Sequence, residues 1–319
     1  MNNPNVISSV DLRETAKRIE PYINKTPILT STSLNNLTNA ELYFKCENFQ
    51  KVGAFKFRGA CNAVYSKSDS DLKNGVATHS SGNFAQALAL AAKYRETKAY
   101  IVMPKNAPKV KSDAVRGYGA EIIFCEPTLQ AREETLIRVV NDTGAVFIHP
   151  YDDPDIIAGQ ATSAMELIDE VRNLDIVMAP IGGGGLTSGT ALAIKYFSQN
   201  TKMIAAEPEM ADDAYRSFKS GKFIPSDNPN TIADGLKTSL GKITFPIVMS
   251  NVDDILTVSE ENIIKSMKVI WERMKIIVEP SGAVPFGVIL QNTKMFENRK
   301  IGIIVSGGNV DLDNLPWVI

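Results

Sequence analysis

Residues 175–188 read DIVMAPIGGGGLTS, a mostly apolar seven-residue run that passes directly into four glycines and then Leu186, Thr187 and Ser188. A run this short, apolar throughout its middle and ended by glycine, reads as a buried strand closed by a turn. Working outward, the same arrangement recurs. The run 76–78 leads to Ser80, Ser81, Gly82 and Asn83, and the run 300–306 leads from Ser306 to Gly307, Gly308 and Asn309. Further strand-like runs lie at 42–46, 99–103, 121–125, 146–149, 202–206 and 254–258. Between them, apolar residues fall at helical spacing, as in Ala85, Leu88 and Ala92 or Ile263, Met267 and Ile270. Ser259 before Glu260 and Glu261 reads as a helix N-cap with acids in the first turn. Apolar strands alternating with helices predict an α/β fold, with parallel sheet covered by helices on both faces. In such sheets ligands sit at the carboxyl ends of strands. Three glycine-bearing turns at those ends point to one shared pocket; tight turns without a ligand are the alternative at each.

Composition excludes several classes. The chain has 319 residues, is 44% hydrophobic and 22% charged, and sets 34 Lys and Arg against 36 Asp and Glu for a net charge of −2. That balance offers no surplus for nucleic acid. Cys46, Cys61 and Cys125 are scattered and odd in number, which fits a reduced cytoplasmic setting better than a disulfide framework or a zinc ribbon. With His79 and His149 the only histidines, no multi-histidine metal site is possible. The polar start lacks the order of a signal peptide, and no apolar run is long enough to span a membrane.

Two segments carry chemistry. Gly182, Gly183, Gly184 and Gly185 let the backbone approach an anion closely, and the helix expected from about Leu186 adds the positive end of its dipole. This is a phosphate cup, but neither GxGxxG with a ribose-binding acid nor GxxxxGK[ST], so the phosphate need not belong to a dinucleotide or to ATP. The second segment is KVGAFKFRGA, 51–60. There Lys56 stands between two phenylalanines at the start of a helix, where desolvation would lower its pKa and free the amine for a Schiff base. An ordinary solvated lysine is the other reading.

Taken together, these segments resemble the fold-type-II pyridoxal-phosphate enzymes, most closely the serine racemase and serine/threonine dehydratase family. The resemblance covers nearly the whole chain in order: KTPILTS from Lys25, FKCENFQK from Phe44, FKFRGA from Phe55, THSSGN from Thr78, IAGQAT from Ile157, the four glycines, AAEP from Ala205, ADGLK from Ala233, ERMK from Glu272 and SGGNVDL from Ser306. It implies two open twisted parallel-type sheets, with a small domain (72–152) inserted in a large cofactor-binding domain (1–71 and 153–319). It implies that Lys56 bonds covalently to pyridoxal phosphate, that Gly182, Gly183, Gly184 and Gly185 hold the phosphate, and that Asn83 meets the ring hydroxyl. Phe55 packs beside the ring and Ser306 faces its nitrogen. Ser80, Ser81 and Gly82 receive the substrate carboxylate. Ser81 matches the serine acting on the opposite cofactor face in racemases, and Arg132 an arginine of substrate binding and closure. Glu207, Ala211 and Asp213 match a divalent-cation site, where two carboxylates and a carbonyl suit Mg²⁺; two surface acids are the equal alternative.

The implied reaction is dehydration of a small β-hydroxy amino acid (serine, threonine or 3-hydroxyaspartate) to a 2-oxo acid and ammonia. The alternative is serine racemase with side dehydratase activity. A homodimer is implied too. Ser306 in place of an aspartate leaves the ring nitrogen neutral, which favours prompt loss of the β-hydroxyl or rapid reprotonation over transamination. The chain departs from the family pattern at Phe84, where histidine is usual, at Ala161, where glycine is usual, and at Ala54, where serine is common. Val52 stands where a hydroxyl residue is frequent, which weakens a nucleotide-effector site. Residues 151–154, YDDP, follow the dehydratase version of their loop. With SGGN so near the last residue, no C-terminal regulatory domain is expected.

Overall fold

Apolar, β-branched runs form the strands of buried sheets, and this computed structural model, which describes residues 7–107 and 109–317, has ten strands among those residues. They are β1 (Ile28–Leu29), β2 (Glu41–Cys46), β3 (Val76–His79), β4 (Ala99–Pro104), β5 (Glu121–Cys125), β6 (Val146–Phe147), β7 (Ile176–Pro180), β8 (Lys202–Pro208), β9 (Asp254–Val258) and β10 (Lys300–Val305). One sheet has the order β1-β2-β10-β7-β8-β9 and the other β5-β4-β3-β6. Every pairing is parallel except β1 with β2. The four strands of the second sheet lie between β2 and β7 in the chain, so this layer interrupts the first. The α/β expectation and nine of the ten strands follow the apolar runs. The tenth, β1, is two residues long and leaves too little pattern to read.

Period-two alternation places the cores. Val177 and Ala179 of β7 and Met203 and Ala205 of β8 face the helices Pro154–Glu170 and Gly185–Phe197. Ile176, Met178, Ile204 and Ala206 face the helices Glu260–Met274 and Pro280–Gln291. Ser259 caps the former, its side chain accepting from the Asn262 N–H, as the sequence predicts. The smaller sheet is covered likewise by the helices Asn83–Tyr94 and Leu129–Thr143. Helices on both faces satisfy the parallel-sheet rule.

The strand order reverses once in each sheet. The chain steps outward from β7 to β8 and β9, then returns to place β10 on the other side of β7. It steps from β3 to β4 and β5, then returns to place β6 on the other side of β3. Each reversal opens a crevice at the carboxyl ends of the two diverging strands. Gly182 and Ser306 follow β7 and β10, and Ser80 and His149 follow β3 and β6.

Candidate active site

The four glycines connect β7 to the thirteen-residue helix Gly185–Phe197. Gly184 has φ +84°, the left-handed region that favours glycine. A Cβ on Gly183 would stand 2.6 Å from the Tyr151 ring, one on Gly182 2.8 Å from Leu236 Cα, and one on Gly184 2.6 Å from Leu240 Cδ2. No side chain fits at these positions, so bare backbone lies at the positive end of a long helix. Thr244 fixes this turn by donating from Oγ1 to the Gly183 carbonyl at 2.9 Å. Asp152 in turn fixes Thr244, accepting from the backbone N–H groups of Lys242, Ile243 and Thr244 at 2.9, 2.8 and 3.0 Å. The cradle fits a phosphate.

Lys56 opens the helix Lys56–Tyr65, which the sequence predicts. Its Nζ donates to the Pro150 carbonyl at 3.1 Å and lies 5.0 Å from the Phe55 ring centre and 5.9 Å from that of Phe84. Desolvation lowers its pKa from the usual lysine range to about 8, against the opposing pull of Glu279. The expected partly desolvated amine is therefore present. Phe84, one of the departures from the family pattern, is buried and forms part of the wall around that amine. Ala54 bridges to Gly307, and the Phe55 N–H donates to the Ser306 carbonyl at 3.0 Å, which ties the Lys56 segment to the turn after β10. Ser306 itself is buried.

Across the cleft, Ser80, Ser81 and Gly82 form the turn between β3 and the helix Asn83–Tyr94, with the Gly82 N–H 3.3 Å from Ser80 Oγ. Asn83 begins that helix and reaches back to the other layer. Its Nδ2 donates to Glu279 Oε1 at 3.0 Å and Oε2 at 3.1 Å, and its Oδ1 accepts from Asn309 Nδ2 at 2.9 Å. The structure thus brings together Lys56, Phe55, Asn83 and the turn at Ser306. Arg132 stands on the helix Leu129–Thr143, with Nε directed to the Thr128 carbonyl at 3.4 Å; its charge helps to lower the pKa of His79, an effect led by burial.

Glu207, Ala211 and Asp213 meet at the end of β8, as a separate group. Glu207 accepts from the Ala214 and Tyr215 N–H groups at 3.0 and 2.7 Å. Asp213 is 1% exposed, and both its carboxylate oxygens are buried without a hydrogen-bond partner. Burial pushes Asp213 up to about 6 and Glu207 well above the carboxylate range. Two poorly compensated carboxylates fit a hard cation. Among the described residues no three acidic, histidine or cysteine side chains converge, so carbonyls and water would complete the coordination.

Three residues of the cleft escape a reading of the sequence for catalytic types. Glu279 is the only charge between Lys275 and Lys294, and a lone acid in so apolar a stretch is the signal that marks it. His149 was expected to end a strand. Instead it leaves β6 after Phe147 and turns its Nδ1 to accept from the Tyr151 and Asp152 N–H groups at 3.3 and 2.8 Å. Asn309 is visible only as the end of SGGN, yet its Nδ2 also donates to the Val52 carbonyl at 2.7 Å.

Comparison with known proteins agrees with this geometry. The profile of the family described as "Pyridoxal-phosphate dependent enzyme" matches residues 19–307. The chain is 52% identical to a beta-hydroxyaspartate dehydratase of Paracoccus denitrificans, over 96% of this chain and 98% of that protein. It is 49% identical to an L-threo-3-hydroxyaspartate ammonia-lyase of Saccharomyces cerevisiae, over 97% and 95%. The crystal structure of a serine racemase from Dictyostelium discoideum superposes with a TM-score of 0.92 at 50% identity, covering 96% of this chain and 99% of that one. With the profile matched from residue 19 to residue 307 and these relatives matched over nearly their whole length, the chain belongs to the family of pyridoxal-phosphate dependent enzymes.

Proposed function

We propose that the chain removes water and then ammonia from a small β-hydroxy amino acid (serine, threonine or 3-hydroxyaspartate), giving a 2-oxo acid. The observation that carries this reading is Lys56: its amine is hydrogen-bonded to a neutral carbonyl, has a pKa lowered to about 8, and stands at the meeting point of both sheet crevices. Pyridoxal phosphate supplies the electron sink for charge developing at the substrate α-carbon. Gly182, Gly183, Gly184 and Gly185 would hold its phosphate, Phe55 would pack beside its ring, Asn83 would donate to its hydroxyl and Ser306 would meet its nitrogen. Lys56 is the residue that would hold it covalently, and its free amine would take the α-proton on Nζ. The backbone at Ser80, Ser81 and Gly82, at the start of a twelve-residue helix, receives the substrate carboxylate, with Arg132 closing over it. The β-hydroxyl would then leave as water, taking its proton from the Lys56 ammonium. Holding all these groups in one cleft supplies much of the rate.

Ser81 favours a second reading. It lies in the turn that faces the cleft from the smaller sheet, on a different element from Lys56, where its hydroxyl would return a proton to the opposite face and interconvert L- and D-serine. Residues 72–152 serve as a small domain moving over the large one (1–71 and 153–319). Glu207, Ala211 and Asp213 bind Mg²⁺ or a similar cation. No described helix is long and apolar enough to cross a membrane. Three buried free cysteines suit a reduced, cytoplasmic setting, where we infer that the chain works as a homodimer.

One experiment tests the reading. Purified protein loaded with pyridoxal phosphate is given L-serine, D-serine, L-threonine and the 3-hydroxyaspartate diastereomers, with and without Mg²⁺, and both 2-oxo acid and enantiomer ratio are measured. Release of 2-oxo acid, lost by a factor on the order of a thousand or more in Lys56→Ala, is expected. Enantiomer exchange without 2-oxo acid transfers the chain to the racemase reading. Absence of turnover, together with no visible absorbance after loading, overturns both.

A further inference from the structure

Glu279 is 5% exposed and precedes the helix Pro280–Gln291, yet its side chain caps nothing there. Its carboxylate instead spans the cleft. Both oxygens accept from Asn83 Nδ2, and Oε2 also accepts from the Asn309 N–H at 3.2 Å. It presses against the turn after β10 as well: a Cβ on Gly307 would stand 2.6 Å from Oε1, and the Glu279 N–H donates to the Gly307 carbonyl at 3.0 Å. The nearby lysines are engaged elsewhere, Lys111 with Asp234 at 2.7 Å and Lys56 with the Pro150 carbonyl. Glu279 is therefore a buried carboxylate held by amides.

An ionised carboxylate only accepts, so it dictates which end of the Asn83 amide faces it. Asn309, donating to Asn83 Oδ1, fixes the other end. Flipping the Asn83 amide would set its carbonyl oxygen against the carboxylate and its NH₂ against that of Asn309. We propose that Glu279 is a positioning residue that locks the Asn83 amide with its N–H side presented to the cofactor's ring hydroxyl. This rests on the cofactor assignment made above and deepens it. The groups facing Glu279 are Lys56 from its helix, Asp234 from the turn after Ala233, Lys111 from the helix Lys109–Gly117, and the neutral Asn83 and Asn309. Burial, aided by Asp234, raises the Glu279 pKa to about 7 against the opposing Asn83 bond, Lys111 and the Asn309 N–H. Once protonated, the carboxyl carries an O–H that can donate to Asn83 Oδ1, and the lock loosens. Cofactor binding should therefore weaken as pH falls through this range, through Asn83.

The test titrates pyridoxal phosphate into apoprotein, with visible absorbance as readout, from about pH 6 to about pH 8.5. Wild type, Asn83→Ala, Glu279→Gln and the double variant are compared, with folding checked by circular dichroism. Glu279→Gln keeps an acceptor but adds donors, so a loss of affinity of about tenfold is expected near pH 8. Lys56, with a pKa of about 8, gives every variant a common pH dependence. The Glu279 contribution is therefore read as a wild-type to Glu279→Gln affinity ratio that shrinks as pH falls through about 7. In the Asn83→Ala background the same change should have no further effect. Independent, multiplying losses, or a Glu279→Gln profile matching wild type, overturn the inference. If Glu279→Gln does not fold, wild type against Asn83→Ala decides: identical pH profiles overturn it, and a step confined to wild type supports it. A wild type that binds no cofactor overturns the functional reading, and this inference with it.

Discussion

The charges around Arg58 and those of Glu207 and Asp213 are both buried, yet they are built on opposite terms. Arg58 is fully buried and uses all three guanidinium nitrogens: Nε and Nη2 to Glu47 at 2.7 and 2.9 Å, Nη1 and Nη2 to Glu166 at 2.6 and 2.9 Å. Lys45 adds a second cation on Glu166 at 2.5 Å, and Thr26 donates to Glu47 at 2.6 Å. Two cations meet two carboxylates. Burial alone would raise Glu47, but the Arg58 guanidinium outweighs it and holds the carboxyl below its ordinary value. At Asp213 the oxygens have no partner, Glu207 adds a like charge, and Arg216 turns to Asp212 at 2.8 Å. The difference separates buried charge that is matched within the fold from buried charge that is not. Arg58 sits two residues after Lys56 and anchors its helix, so the compensated cluster holds the segment that carries the Lys56 amine.

The largest effect comes from breaking the compensated cluster. Arg58→Met strands Glu47 and Glu166 with Lys45 as their only cation. Removing one member of a buried ion pair costs about 3–5 kcal/mol. Urea unfolding should show that loss, and one below about 1 kcal/mol, the usual worth of an exposed pair, would break the comparison. Next comes the uncompensated pair. Mg²⁺ at about a hundred times its dissociation constant should stabilise wild type by about 2.7 kcal/mol, and Asp213→Asn should abolish that gain. Without cation, Asp213→Asn should be the more stable protein at neutral pH. The sign follows from a folded pKa of about 6 raised above the ordinary 3.8: the folded state holds the extra proton, so stability falls as pH rises through that window. A cation-independent melting temperature in wild type would remove the site.

The strands were legible because a parallel sheet buried on both faces must be apolar throughout, as at 176–180 and 301–305. The glycine turns were legible because φ and close packing at Gly184 and Gly183 admit no other residue. What the sequence hid were partners formed by the meeting of two sheets. Glu279 and Asn83 are 196 residues apart, and Asn309 and Asn83 are 226 apart. Each is an unremarkable residue until the crevices face one another. His149 was hidden differently. The run 146–149 reads as strand, but the imidazole satisfies the N–H groups of Tyr151 and Asp152 and so ends the strand after Phe147.

That imidazole gives the smallest effect and the finest test of the comparison. Accepting from two N–H groups requires Nδ1 to be unprotonated. Burial, with help from nearby His79 and Lys56, lowers the His149 pKa to about 4 against the opposing charge of Asp152. Below the ordinary histidine pKa of about 6.5 the unfolded chain takes up a proton that the folded chain refuses. The contribution is therefore complete above that value and is lost as pH falls toward 4. Glu47, whose pKa is lowered in the folded state, changes stability with the same sign as His149, but only as pH nears the ordinary glutamate value of about 4.5. Asp213 and Glu279, with raised values of about 6 and 7, change stability with the opposite sign. The measurement is thus the difference in unfolding free energy between wild type and His149→Asn at each pH, which cancels the groups common to both. The difference should shrink steadily on acidification from about pH 6.5 to about pH 4.5. A constant difference would mean that His149 charges freely while folded, and that the Pro150 carbonyl receiving Lys56 is held by something other than this neutral ring.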